Sequence, residues 1–255
     1  MTAIDPRIAG MKRNLERFKL ILPVMSPKGG VGKTFATALL AHILSRKYEC
    51  ISLFDADLTN PTLHVVLGLN AKNMKIIEER GVKPVKVNER LELMSLALFV
   101  DEYSIPLRGK DVENVIKELL TVTRWSGRIL LIDTPPGFSD THLELLKILS
   151  SVSKSLIILV TTPNYIALKS IERGVKILLL ESVKLAGILG NMCVSTEDEF
   201  KIESMTHRYG IMYLGCIPYV DRIENYFGLN LTNMLKHVEH LYNNIVKSID
   251  NFTGV

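Results

Sequence analysis

The sequence predicts an α/β protein built on a doubly wound, mostly parallel sheet with helices on both faces, and three observations carry this expectation. Short aliphatic runs such as Arg128-Ile129-Leu130-Leu131-Ile132 alternate along the chain with longer stretches of helical periodicity. The runs are apolar at consecutive positions, as strands buried on both faces require. Between the first run and the first long helix stands a glycine-rich turn, Ser26-Pro27-Lys28-Gly29-Gly30-Val31-Gly32-Lys33-Thr34.

Residues 7–17 place Ile8, Met11 and Leu15 at helical spacing, which predicts a short amphipathic helix. It is read as an N-terminal helical extension (residues 1–17) of one domain spanning 1–255. Leu20 to Met25 is a buried strand, and after the turn Phe35, Ala36, Ala38, Leu39, Leu40, Ala41, Ile43 and Leu44 mark a long helix. Cys50 to Phe54 is the second strand, ending in Asp55-Ala56-Asp57. A short helix is expected around Leu63 to Leu67. The polar, lysine-rich stretch that follows is read as a connection punctuated by Gly81 and Pro84. Leu91 to Leu98 is a further strand, Val112 to Trp125 a helix, and Arg128 to Ile132 a strand closed by Asp133-Thr134-Pro135-Pro136-Gly137. The remainder alternates: helix Leu143 to Leu149, strand Ser155 to Val160, helix Ile166 to Leu180, strand Leu185 to Leu189, helix Glu197 to Tyr209, strand Met212 to Ile217. A final helix runs from Leu231 to about Ile249. Such βα units give parallel strands joined by crossovers.

The glycine turn reads as a phosphate cradle. Glycines lacking Cβ let successive backbone N–H groups face one concavity, and the helix that starts there adds the positive end of its dipole. A polyphosphate is the expected ligand. Asp55 and Asp57 stand at the C-terminal edge of a buried strand, where open α/β sheets bind ligands. Asp55 or Asp57 capping the following turn is the alternative, as is Asn191 satisfying its own loop. Asp133, ending an aliphatic strand, has the Walker B form and is placed to hold Mg²⁺ through water.

The composition describes an ordinary globular protein. With 31 basic and 27 acidic residues the net charge is only +4, and the basic side chains are scattered. A solvated surface explains them, and the charge pattern gives little support to nucleic-acid or membrane contact. The longest apolar runs, such as Leu156 to Val160, fall far short of the ~18 residues that span a bilayer. No basic patch precedes an apolar segment at the N-terminus, so a cytoplasmic location is expected. Cys50, Cys193 and Cys216 are too few and too widely spaced for a disulfide framework.

The general P-loop rule, G-x-x-x-x-G-K-[ST], wants Gly at position 27, where this chain has Pro27. Lys28-Gly29-Gly30-Val31-Gly32-Lys33-Thr34 instead resembles the deviant Walker A motif, xKGGxGK[ST], of the MinD/ParA/Mrp class of ATPases. Further stretches point the same way. Asp55-Ala56-Asp57-Leu58-Thr59-Asn60-Pro61-Thr62 resembles that class's D-A-D-x-x-G-P-S, and Ile132-Asp133-Thr134-Pro135-Pro136-Gly137 with Asp140 and His142-Leu143 resembles I-D-T-P-P-G-x-x-D-x-H-L. Val160-Thr161-Thr162-Pro163 with Ala167-Leu168, and Gly187 with Asn191-Met192, fit as well. Arg108-Gly109 and Trp125 also fall where such residues occur. From about Lys19 to Gly228 the chain is similar to the Mrp/ApbC-type P-loop ATPases.

The resemblance implies slow Mg²⁺-dependent ATP hydrolysis by a nucleotide-controlled homodimer. It also implies an unidentified client protein and a link to iron–sulfur protein assembly. A MinD/ParA-like positioning or chromosome-partitioning ATPase is the alternative. By position, Gly29, Gly30, Val31, Gly32, Lys33, Thr34 and the Phe35 N–H would hold the phosphates, with Thr34 giving its hydroxyl to Mg²⁺. Lys28 would reach the partner copy's nucleotide, Asp57 would polarise the attacking water, and Asp133 would hold Mg²⁺ through water. Asn191 would hydrogen-bond adenine, Pro218 would line the base pocket, and Thr134 to Asp140 would sense the γ-phosphate. His142 is either a structural neighbour of that switch or a participant in it. The family's C-x-x-C pair, which bridges an iron–sulfur cluster, would fall at Glu197 and Phe200, neither of them a thiol. Cluster carriage by that route is therefore not expected. Cys193 is read as a small buried residue, with one ligand per subunit as the alternative.

Overall fold

The structure, a computed structural model, describes residues 6–74, 77–99, 110–137, Leu146, Leu149, 155–181 and 183–253. Among them the strands are β1 (Leu20–Met25), β2 (Ile51–Asp55), β3 (Ile77–Glu78), β4 (Val82–Lys83), β5 (Val85–Lys86), β6 (Leu91–Ser95), β7 (Ile129–Asp133), β8 (Ile157–Thr161), β9 (Leu185–Cys193) and β10 (Tyr213–Pro218). The helices are α1 (Pro6–Leu15), α2 (Lys33–Leu44), α3 (Leu63–Val66), α4 (Lys110–Val122), α5 (Tyr165–Leu180), α6 (Thr196–Arg208), α7 (Leu231–Met234) and α8 (Glu239–Thr253). One eight-stranded sheet has the order β10-β9-β8-β1-β7-β2-β6-β5, parallel except for the edge strand β5, while β3 and β4 form a separate hairpin. The parallel, doubly wound sheet expected from the sequence is therefore present.

Alternation along each strand explains why the helices cover both faces. In β7, Ile129 and Leu131 join the core beneath α2, α7 and α8, while Leu130 and Ile132 join the core beneath α1 and α4. A third cluster lies under α5 and α6 around β8, β9 and β10. From β1 the chain winds toward β2 on one side, and after β7 it continues to β8 on the other. The C-terminal ends of β1 and β7 thus border a crevice of the kind that binds ligands in such sheets.

The structure departs from the sequence reading in five places. The β3–β4 hairpin and Val85–Lys86, which pairs with β6 as an edge strand, lie where only a connection was expected, because two-residue strands carry no periodicity. The strand expected to reach Leu98 ends at Ser95, whose hydroxyl caps a 3₁₀ turn over Leu96–Leu98. β9 continues to Cys193, four residues past its expected end. The single C-terminal helix is broken at Val238 into α7, a 3₁₀ turn and α8, yet Leu231, Met234, Val238, Leu241, Ile245 and Ile249 are all buried. This apolar face is packed against α2, β9 and β10, with Arg46 paired to Glu239 and Lys47 to Asp250. No helix among the described residues is long and apolar enough to cross a membrane.

The fifth correction concerns the thiols. Cys193 and Cys216 are joined in a disulfide, their Cα atoms 6.3 Å apart, and Cys50 is free. Spacing along the chain misled here, because β9 and β10 are neighbours and their register sets Cys216 beside Gly190 and Pro218 beside Cys193. The helix expected over Leu143 to Leu149 lies mostly outside the described residues, of which Leu146 and Leu149 are helical and buried.

Candidate functional site

β1 delivers the chain into the glycine turn at Ser26, whose Oγ is buried and unpaired among the described residues. Gly30 and Gly32 take φ of 79° and 76°, the left-handed region that a side chain resists. At Gly32 a Cβ would also stand 2.2 Å from Asn191 Nδ2. Gly32 is the N-cap of α2 and no side chain caps the helix, whose first backbone bond runs from the Ala36 N–H to the Gly32 carbonyl at 3.0 Å. The N–H groups of Lys33, Thr34 and Phe35 precede that bond, so the positive end of α2 faces the C-terminal edge of the sheet.

Asp133, at the end of β7 and 1% exposed, gathers the first turn of α2. Its Oδ1 lies 2.6 Å from Lys33 Nζ and accepts from Thr37 Oγ1 at 3.0 Å, and its Oδ2 accepts from Thr34 Oγ1 at 2.7 Å. The strand after Asp133 is tied back to the turn. Thr134 Oγ1 donates to the Val24 carbonyl at 2.9 Å, and the Gly137 N–H donates to the Ser26 carbonyl at 2.9 Å. A hydroxyl and a carboxylate side by side are hard oxygen donors of the kind Mg²⁺ takes.

The second aspartate pair divides its work. Asp55 is fully buried, and its carboxylate accepts from the N–H groups of Asp57 and Leu63 and from Ser95 Oγ, each at 3.2 Å. Burial, then the nearby charge of Asp133, push its pKa well above the ordinary carboxylate range, making it a weaker acid. Asp57 is half-buried and caps its own turn, its Oδ1 accepting from Thr59 Oγ1 at 2.8 Å and from the Asn60 N–H at 3.2 Å. Both aspartates therefore make the turn-capping bonds that were the alternative for them.

Asn191 does reach the turn. Its Nδ2 donates to the Val31 carbonyl at 2.8 Å, and its Oδ1 accepts from the Met192 N–H at 3.0 Å. Pro218 ends the neighbouring strand two residues from Cys216, and the loop after it is anchored by the Tyr219 N–H donating to the Cys193 carbonyl at 2.8 Å. Phe35 is buried against Phe227 at 6.4 Å between ring centroids. Lys28 is exposed at the tip of the turn, with no ion pair among the described residues. Asp140 and His142 lie outside the described residues, as does Arg108-Gly109.

Lys33, Thr34 and Asp133 are thus in contact, Asn191 donates into the turn, and Asp57, Lys28 and Pro218 lie at the C-terminal ends of β2, β1 and β10 with no hydrogen bond to the first three among the described residues. Residues 17–251 match the family described as ParA, NUBPL iron-transfer P-loop NTPase. The chain belongs to this family. Among relatives of this NUBPL-type P-loop NTPase, an "Iron-sulfur cluster carrier protein" of Rickettsia typhi is 32% identical over 236 residues, covering 91% of this chain and 72% of the relative. The "Cytosolic Fe-S cluster assembly factor CFD1" of Kluyveromyces lactis is 30% identical over 270 residues, covering 97% and 95%.

Solved structures agree on the fold. A nucleotide-binding protein in complex with ADP from Archaeoglobus fulgidus superimposes with a TM-score of 0.69 at 24% identity, covering 94% of this chain and 92% of that one. The septum site-determining protein MinD complexed with Mg-ADP from Pyrococcus horikoshii gives 0.59 at 21% identity, covering 91% and 95%. The resemblance to the Mrp, MinD and ParA class drawn from the motifs is therefore correct at the level of family and fold.

One residue of this site escaped the sequence reading and a second was read only in part. Thr37 was passed over within an apolar helix, although its place one turn after Lys33 puts its hydroxyl on the helix face that Lys33 occupies. Asp55 was noted but given no separate role. Its full burial beside Asp133 emerges only from the pairing of β2 with β7, which sets Asp55 directly opposite Asp133.

Proposed function

We propose that this protein binds ATP with Mg²⁺ at the glycine turn and hydrolyses it slowly, the nucleotide state controlling assembly of two copies. The observation that carries this reading is the contact of Lys33 and Thr34 with Asp133 at the uncapped N-terminus of α2. In this reading Lys33 exchanges the Asp133 carboxylate for the β- and γ-phosphates, and the N–H groups of Gly30 through Phe35 cradle the phosphate oxygens. Mg²⁺, when bound, would neutralise phosphate charge, held by Thr34 directly and by Asp133 through water. Asp57 orients the attacking water with the carboxylate oxygen that its turn leaves free of described partners. Asn191 and Pro218 receive the adenine.

Lys28 is exposed and without an ion pair on the described part of its own chain, which suits a cation delivered to the nucleotide of a second copy. The cellular role we assign is ATP-dependent assistance to iron–sulfur protein assembly through a client protein. Its support is the iron–sulfur roles named for the two relatives at 32% and 30% identity. Glu197 and Phe200 replace the thiols of the C-x-x-C pair, and Cys193 is bonded to Cys216, so a cluster held in the usual way between copies is not part of the proposal.

ATP turnover and oligomeric state, measured for wild type and Lys28→Ala, test this reading. Turnover that falls in the variant, with ATP-dependent dimers in the wild type, supports it. Unchanged turnover in Lys28→Ala defeats the trans-acting cation. Co-sedimentation with liposomes and with DNA tests the alternative, a MinD/ParA-like positioning role, which ATP-dependent pelleting would favour.

A further inference from the structure

We propose that Cys193 and Cys216 form a reversible thiol–disulfide site that sets how firmly the glycine turn is held, and through it the affinity for nucleotide. The inference rests on the nucleotide-site reading above. Three structural facts bring the sulfurs and the turn together. First, Cys216 lies in register with Gly190 but is bonded to Cys193, so the ladder and the disulfide close a small ring across β9 and β10. The packing inside it is tight, since a Cβ on Gly190 would stand 2.5 Å from Cys216 Sγ.

Second, the two residues enclosed by that ring are Asn191 and Met192. Met192 takes φ of 61°, a left-handed conformation that is strained for a non-glycine residue and persists only where its surroundings impose it. Third, Asn191 is the residue whose amide donates to the Val31 carbonyl inside the glycine turn, while its own carbonyl oxygen accepts from the Met192 N–H. The disulfide therefore braces the end of β9, whose Asn191 reaches into the turn. Tyr219, anchored on the Cys193 carbonyl, extends the same brace to the loop after Pro218.

Reduction needs a dithiol as co-reactant. A thiolate of the dithiol attacks the sulfur of Cys193, the slightly more exposed residue of the two, and expels the Cys216 thiolate, giving a mixed disulfide. The second thiol of the reductant then displaces Cys193, and the reductant leaves as its own disulfide. Two electrons and two protons pass from the dithiol to the protein, which ends with two thiols. With the ring opened, Met192 relaxes toward negative φ, Asn191 loses its fixed aim at Val31, and the turn opens more readily. Oxidation by a disulfide of the same class reverses each step.

The test uses the full chain in both redox states. Thiol counting after denaturation should give one free thiol, Cys50, in the oxidised protein and three after dithiothreitol. Titration with Mg-ATP is expected to show affinity lower in the reduced protein by about fivefold or more, the lower end of typical coupling between sites. Cys193→Ser should bind like the reduced wild type and ignore dithiothreitol, and Asn191→Ala should lose the difference between redox states. Equal affinity in the two states, with the thiol counts verified, overturns the inference. So does a chain that keeps three free thiols in oxidised dithiothreitol. These results differ from failure of the nucleotide reading itself, which would show as no binding in either state.

Discussion

Lys33 Nζ lies 2.6 Å from Asp133 Oδ1, and the two side chains are 7% and 1% exposed. A buried ion pair is a modest stabiliser as a pair, but removing one partner strands the other charge away from water, at a cost of about 3–5 kcal/mol. Asp133→Ala should therefore lower the nucleotide-free protein's stability by about that much, read as a drop in the urea midpoint. An unchanged midpoint would mean that Lys33 already finds water or another anion.

Thr37 is the donor to Asp133 that stays behind if Lys33 and Thr34 turn to phosphate and Mg²⁺. Thr37→Val keeps the volume and removes the hydroxyl, leaving a buried carboxylate short of one hydrogen bond. The expected loss is about 1–3 kcal/mol of stability, together with a higher Mg²⁺ requirement for turnover, both restored by Thr37→Ser. If Thr37→Val titrates with Mg²⁺ as the wild type does, Thr37 has no part in placing Asp133.

The trans role of Lys28 makes a sharper demand on mixtures than on single variants. Lys28→Ala can bind ATP but not serve its partner, and Lys33→Ala can serve its partner but not bind. Lys28→Ala alone should be slower by up to ~10³–10⁵, the range known for a cation supplied in trans, and Lys33→Ala alone should be inactive for want of bound ATP. Mixing the two should recover part of the turnover, because one hybrid site is then complete. Mixtures as inactive as the separate variants would contradict the shared site.

Acid sensitivity should trace to Glu92, 1% exposed at the opposite end of β6 from Ser95. Burial pushes its pKa up. Hydrogen bonds from Ser126 Oγ, Ser52 Oγ and the N–H groups of Ser126 and Gly127 outweigh that and hold it below the ordinary value. A depressed carboxylate contributes stability that is present above its unfolded value, about 4.3, and is lost as pH falls through its folded value. Asp55 has the opposite sign: its raised value favours the folded state at low pH, and the benefit fades as pH rises through it. Urea midpoints against pH should thus show a shallower acid slope for Glu92→Gln and a shallower slope above the usual carboxylate range for Asp55→Asn. Slopes equal to wild type in both would remove these carboxylates from the account.

Much of this was legible in the residues themselves. The aliphatic runs placed all seven parallel strands, because burial on both faces leaves a near-continuous apolar signature, interrupted by Ser52 in β2 and Glu92 in β6. The glycine turn was legible for a different reason: its positive-φ positions demand Gly30 and Gly32, and Lys33-Thr34 opens the helix that follows. What stayed hidden depends on strand order and register. The opposition of Asp55 to Asp133, the hydrogen bond from Asn191 to Val31 and the joining of Cys193 to Cys216 all link residues far apart in the chain. No local pattern announces such contacts. Thr37 is the exception, since its spacing from Lys33 was readable and only its company of apolar neighbours concealed it.

Calorimetric titration of Mg-ATP into the full chain, with Lys33→Ala measured beside it, tests the central claim most directly. The account predicts saturable binding near one nucleotide per chain in the wild type and its loss in the variant. Heat no greater than dilution in the wild type, or equal binding by both proteins, would contradict it.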